Sequence, residues 1–192
     1  VRVVAGTASG RGPARDSRFS MLVVVQQFAA RRLAGPQRTT AELRHGAYFA
    51  QYGAPEALAA LLGPTAPERI WRLVAETDNL VVACRRASAR GDGEIALSTG
   101  LAAWEIHSLR GPFTAGVALL EALRGAGSLT EPQRARVAAA LGAARVAAGQ
   151  VNEALEPYEA ALAVTRAAAD RAGAASVEGG LGKLFQLTGR PE

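Results

Sequence analysis

The sequence predicts an all-α chain, a right-handed stack of helical hairpins behind a small N-terminal β-hairpin, and three observations carry that prediction. Residues 138–162, AAALGAARVAAGQVNEALEPYEAAL, read as one nearly complete hairpin. Leu141 and Gly142 stand on a first helix, Gly149 closes it in a left-handed turn, and Ala154, Tyr158 and Ala161 follow at spacings of four and three on a second. Small residues let the two helices approach, and the larger ones fill the space between them. The unit also recurs. Trp104, Gly111, Leu120 and Leu123 take equivalent places upstream, and Leu181, Gly182 and Gly189 restart the pattern downstream. The step from Gly111 to Gly149 nearly equals the step from Gly149 to Gly189, a period of about 40, as two-helix repeats have. Finally, aromatics make up only 5% of a chain that is 49% hydrophobic, and a core of Ala and Leu suits close-packed helices better than sheets.

From the N-terminus, Val1 to Ala5 reads as a strand, residues 6–17 as a Gly- and Arg-rich turn, and Phe19 to Val25 as a second strand running into a helix from Gln26 to Leu33. Gly35-Pro36 is a stop signal for that helix. Thr39 to Tyr52 then forms an amphipathic helix with Leu43, Ala47 and Phe49 or Ala50 inward, and a short helix over 55–62 precedes the break at Pro64 and Pro67. Ile70, Trp71 and Val74 make an apolar stripe, and Asp78 or Asn79 caps a helix from Leu80 to Ala89. Arg90, Gly91 and Asp92 match an adhesion tripeptide, but a helix ending in Arg, a Gly cap and an Asp opening the next helix account for all three. Ile95 to Leu109 is that next helix. From Ile95 to Glu192 three hairpins are expected in register, the last incomplete.

The hairpin pattern resembles a tetratricopeptide repeat. The run SRFSMLVVVQQFAARRL resembles the end of the winged-helix module in bacterial signal-transduction ATPases of the STAND/NB-ARC type and in related transcriptional activators. The positions that carry this likeness are Arg18, Phe19, Met21 and Leu22 on the strand, and Phe28, Ala29 and Leu33 on the helix. Val24 and Phe28 depart from the Glu and Tyr common in those proteins. Arg44, His45, Tyr48 and Phe49 are similar to the family's Arg-His-x-x-Tyr-Phe opening to its helical repeats, and Glu76, Asp78, Asn79 and Leu80 to its Glu-x-Asp-Asn-Leu signature. The resemblance implies that residues 1–36 are a partial winged-helix remnant and 37–192 a tetratricopeptide-like domain. It further implies a parent protein whose nucleotide-binding domain lies before Val1, consistent with a sequence that does not begin with Met.

Charge is unevenly spread. Residues 1–38 carry seven arginines against Asp16, a net of +6, whereas residues 39–192 have a net of −1. Arg2, Arg11, Arg15, Arg18, Arg31 and Arg32 form a basic cluster that reads either as a solvated loop or as a wing presenting them to DNA phosphates or to a nucleotide held by the parent's ATPase domain. Cys84 is the one cysteine, so no internal disulfide forms, and there is neither a signal peptide nor an apolar run of about 18 residues; the expected location is the cytoplasm, with no membrane partner.

The motifs that would signal catalysis fail on spacing. Gly179, Gly180, Leu181, Gly182 and Lys183 lack the first glycine and the following Ser or Thr of a phosphate loop, and Gly6, Gly10 and Gly12 miss the dinucleotide fingerprint. His45 and His107 stand alone, and Glu76 with Asp78 reads as helix capping. The chain is therefore expected to hold no cofactor or metal, to have no catalytic residues, and neither to bind nor to hydrolyse ATP. The expected function is non-catalytic recognition of a protein, a peptide or a neighbouring domain of the parent, through a concave groove lined by Trp104, Glu105, Arg145 and Lys183. Nucleic-acid binding through the basic hairpin is the alternative. Leu184, Phe185 and Leu187, at the last repeat, are expected to be exposed and to support self-association.

Overall fold

The computed structural model describes residues 2–4 and 18–189, and the side chains of residues 21–189. The chain is all-α, with ten α-helices among the described residues. These are α1 (Val23–Arg32), α2 (Gly35–Ala50), α3 (Pro55–Ala59), α4 (Ala66–Ala75) and α5 (Thr77–Arg90), then α6 (Gly93–Arg110), α7 (Phe113–Arg124), α8 (Glu131–Ala147), α9 (Leu155–Ala167) and α10 (Arg171–Thr188). Contacts divide the chain into two units, Val1–Ala41 and Glu42–Glu192, so the boundary falls inside α2 rather than at residue 36.

In the first unit, Arg2–Val4 and Arg18–Ser20 pair antiparallel, with Val3 opposite Phe19. The second extended segment is much shorter than Phe19 to Val25. Val23, Val24 and Val25 are helical, because the Gln26 amide donates to the Leu22 carbonyl at 2.9 Å and its side chain donates to the Met21 carbonyl at 3.1 Å, closing a first turn. No residue of α1 is buried, and Leu22, Val24 and Phe28 are exposed. Gly35-Pro36 starts a helix as well as ending one. Gly35 has φ +54°, and Pro36 occupies the first turn of α2, where its missing N–H costs nothing.

The second unit is built around α6, which is buried nearly all round. Ala96, Thr99, Ala102 and Ala103 are fully enclosed, and the Thr99 hydroxyl is satisfied by donating to the Ile95 carbonyl at 2.6 Å. Such a helix needs neighbours on every side, and α5, α7, α8 and the turn Gln51–Gly53 supply them. The turn sits so close that a Cβ on Gly53 would overlap the Ser98 carbonyl. Each later helix packs on the next, from α7 on α8 to α9 on α10, and alternate helices also touch, α6 with α8 and α8 with α10. A second core of Ala135, Ala138, Ala154, Tyr158, Ala161, Val177, Leu181 and Leu184 lies among α8, α9 and α10.

The helix ends follow local chemistry. Gly91 takes φ +78° and ends α5, and Asp92 accepts from the Ile95 amide at 3.2 Å to open α6. Asp170 opens α10 in the same way, accepting from Gly173 at 2.9 Å. Gly149, at φ +77°, closes the turn after α8. Asp78 and Asn79 are not caps: α5 begins at Thr77, its flanking residue is Glu76, and both lie in its first turn. There Asn79 donates to the Glu76 carboxylate at 2.6 Å, and Thr77 donates to the Val74 carbonyl at 2.7 Å, which starts the helix earlier than its apolar pattern does.

Candidate recognition groove

The step from Gly111 to Gly149 also places packed side chains in register. Trp104, Gly142 and Gly180 are one series at that step, and Gly116 with Ala154 and Leu120 with Tyr158 are two others. A Cβ on Gly142 would lie 2.8 Å from the Tyr158 ring near Cγ, and a Cβ on Gly180 would lie 2.7 Å from the same ring near its hydroxyl end. Tyr158, 5% exposed, is thus held between α8 and α10. The downstream partner of Gly142 is therefore Gly180, and not Gly182, which is half-buried on α10.

On the face where α6, α8 and α10 come side by side, a groove of about 310 Å³ opens. Leu101, Ala139 and Val177, one repeat step apart on the three helices, line it, and so do the pairs Ala135/Gly173 and Pro132/Asp170 at the same step. The lining is small and apolar, and its polar groups are mostly occupied. The Thr165 hydroxyl donates to the Ala161 and Leu162 carbonyls at 3.1 Å, and Asp170 caps α10. Arg136 and Ser176 are the exceptions. Both line the groove, are exposed, and make no ion pair or hydrogen bond among the described residues. Such a surface can seat apolar side chains beside a negative charge.

Of the residues predicted to line a groove, none lines this one. Trp104 is buried at 6% exposure between α6 and α7, where a Cβ on Gly116 would meet its ring at 2.7 Å. An indole in an Ala-rich stack is the largest filler available, and the space opposite a glycine takes it. Arg145 is a tie between elements. It pairs with Glu121 of α7 at 2.8 Å and donates to the Glu153 carbonyl at 2.7 Å, closing the turn after α8. Glu105, one turn beyond Leu101, is half-buried, and its burial raises the carboxyl pKa. Lys183, one repeat step after Arg145, is exposed on α10. Leu101, Arg136, Ala139 and Val177 were missed, although moving by the repeat step from any one of the three apolar positions finds the other two.

The remaining expectations are placed as follows. Leu184 is buried and Phe185 half-buried against the second core, leaving Leu187 as the exposed large apolar residue of that group, so the edge of α10 is smaller than expected. Arg11 and Arg15 of the basic patch lie outside the described residues, as do the side chains of Arg2 and Arg18. Arg31 and Arg32 are exposed, with Arg32 lying 5.2 Å over the Phe28 ring. The Cys84 thiol is pushed up to about 11 by burial, the opposite of an activated nucleophile. A second cleft, of about 280 Å³ beside α4, is lined by groups already engaged: Arg69 donates to Thr65 at 3.0 Å, and Arg72 pairs with Glu68 at 3.1 Å. Among the described residues, no cluster of His, Cys, Asp or Glu could hold a metal, and no helix is long and apolar enough to cross a membrane. No family model matches the chain, and no curated protein or solved structure is significantly similar to it.

Proposed function

We propose that the second unit is a tetratricopeptide-like solenoid that acts as a non-catalytic recognition module, binding an extended or helical protein segment along the α6–α8–α10 groove. The observation that carries this reading is the groove's register: the residues at its base recur at one constant step along three helices. A surface built by stacking hairpins is longer than any one hairpin provides, which is how helical repeats hold peptides. In this reading the first unit is the end of a winged-helix module, and the whole is the sensing or docking arm of a cytoplasmic bacterial signalling ATPase or transcriptional regulator.

A phage-displayed random peptide library selected on the protein tests the reading. Enriched peptides should bind the wild type in calorimetry and lose on the order of tenfold in affinity, about 1.4 kcal/mol, when Ala139→Arg fills the groove. Circular dichroism should show the same helicity in both proteins. Enriched peptides that bind Ala139→Arg as well as the wild type would place recognition elsewhere and end the proposal.

A further inference from the structure

Two of the sequence motifs singled out above, residues 44–49 and 76–80, meet in space without touching the groove. The part of α2 from Glu42 onward packs here with α5. Glu42 holds two arginines of α5, Arg86 at 3.7 Å and Arg90 at 3.3 Å, and its side chain is only 15% exposed. One turn on, the His45 ring lies tilted against Phe49 at 4.7 Å between ring centroids. It hydrogen-bonds the Asn79 side chain, whose amide donates to Glu76. Its other nitrogen, Nδ1, is buried with no hydrogen-bond partner. From α6, the nearby group is the aliphatic Ile95, 2.9 Å from where a Cβ on Gly46 would stand.

Charges of both signs act on His45: Arg86, which with Arg90 is paired to Glu42, opposes its protonation, and Glu42 and Glu76 favour it. A bare Nδ1 is also compatible with burial, because a neutral ring needs a donor at one nitrogen only. A proton added there would create a buried donor without an acceptor and a cation close to Arg86, both of which oppose burial.

We propose that this cluster is a proton-operated clasp: neutral His45 lets residues 42–50 of α2 lie against α5, and protonation of Nδ1 releases them. Burial, then the Arg86 charge, hold the imidazole pKa below its ordinary value against the opposing pull of Asn79, Glu42 and Glu76. The clasp is therefore fully closed above the ordinary histidine range and opens as pH falls through the lowered value.

Hydrogen exchange followed by mass spectrometry tests this on the whole chain at about pH 7.5 and about pH 5.5, bracketing the free histidine value of about 6.5. With rates corrected for intrinsic pH dependence, peptides covering residues 42–50 should lose protection severalfold on acidification while those of α8 and α9 keep theirs. His45→Gln, which can hold Asn79 but cannot gain the proton, should abolish the response. Arg86→Gln removes the cation that opposes protonation and should move its midpoint to higher pH, which provides a second reading should His45→Gln fail to fold. Unchanged protection in the acidified wild type, a response that persists in His45→Gln, or a midpoint that Arg86→Gln leaves in place would each overturn the proposal.

Discussion

The hairpins α6–α7 and α8–α9 solve the same packing problem with opposite halves. In the first, the bulk comes from the first helix: Trp104 stands at the shared position, and Gly116 on α7 makes room for it. In the second, Gly142 stands where Trp104 did, and the ring comes from Tyr158 on α9. The ring changes helix between the two hairpins and its place shifts by about one turn, since the counterpart of Gly116 is Ala154 and that of Tyr158 is Leu120. Interiors pack to a nearly fixed density, so facing positions of a repeat compensate for one another, and no one of them has to keep its residue type.

Tyr158→Ala should break the comparison most severely, because it empties a site that serves α8 and α10 at once. We expect a loss of about 3–5 kcal/mol in urea denaturation, the range for deleting a buried ring. In hydrogen exchange α10 should lose protection first, whereas Trp104→Ala, equally costly in the same range, should spare it. Equal exposure of α10 in both variants would contradict the shared-ring packing.

Gly142→Leu is the next largest, at about 1–3 kcal/mol from overpacking against the Tyr158 ring. If bulk is exchangeable between the two helices, combining Gly142→Leu with Tyr158→Ala should cost less than the sum of the single changes by roughly 0.5–3 kcal/mol. Strict additivity in that double-mutant cycle would mean the two positions do not share one volume.

The smallest effect is a titration. Burial raises the Tyr158 phenol above its ordinary value, so the folded state favours the neutral ring. That contribution is fully present below about pH 10, where the unfolded phenol ionises, and is lost as pH rises through the higher folded value. Thermal melts in alkali should show the wild type weakening faster than Tyr158→Phe. Parallel slopes would remove the phenol from the balance.

The exchange of bulk also explains what could be read without coordinates. Leu141, Gly142, Gly149, Ala154, Tyr158 and Ala161 announce a hairpin because small and large residues alternate at helical spacing, and Gly91-Asp92 announces a helix junction because both caps are chemically specific. Trp104 packs, as the repeat pattern expects, but does not line the groove, because an indole in a helix looks the same in sequence whether it faces a groove or a glycine on another helix. The turn glycines point to Gly182 where the packing selects Gly180, because the step from Gly149 to Gly189 is slightly longer than the step between the packed positions Gly142 and Gly180. Val23 to Val25 carry strand propensity, yet a first turn closed by Gln26 makes them helical. Arg136 carries no local mark at all; its role follows only from where α8 sits.

Tyr158 has one further consequence. Gly142 lies just under one turn beyond Ala139 on α8, and Gly180 the same distance beyond Val177 on α10, so the ring and the groove occupy neighbouring stretches of the same two helices. With no side chain on either glycine to take up slack, the size of the phenol, met by α8 near Cγ and by α10 near the hydroxyl, sets how far apart those helices stand. The ring is the gauge block of the groove: a smaller residue there would narrow the slot without altering a single atom that lines it.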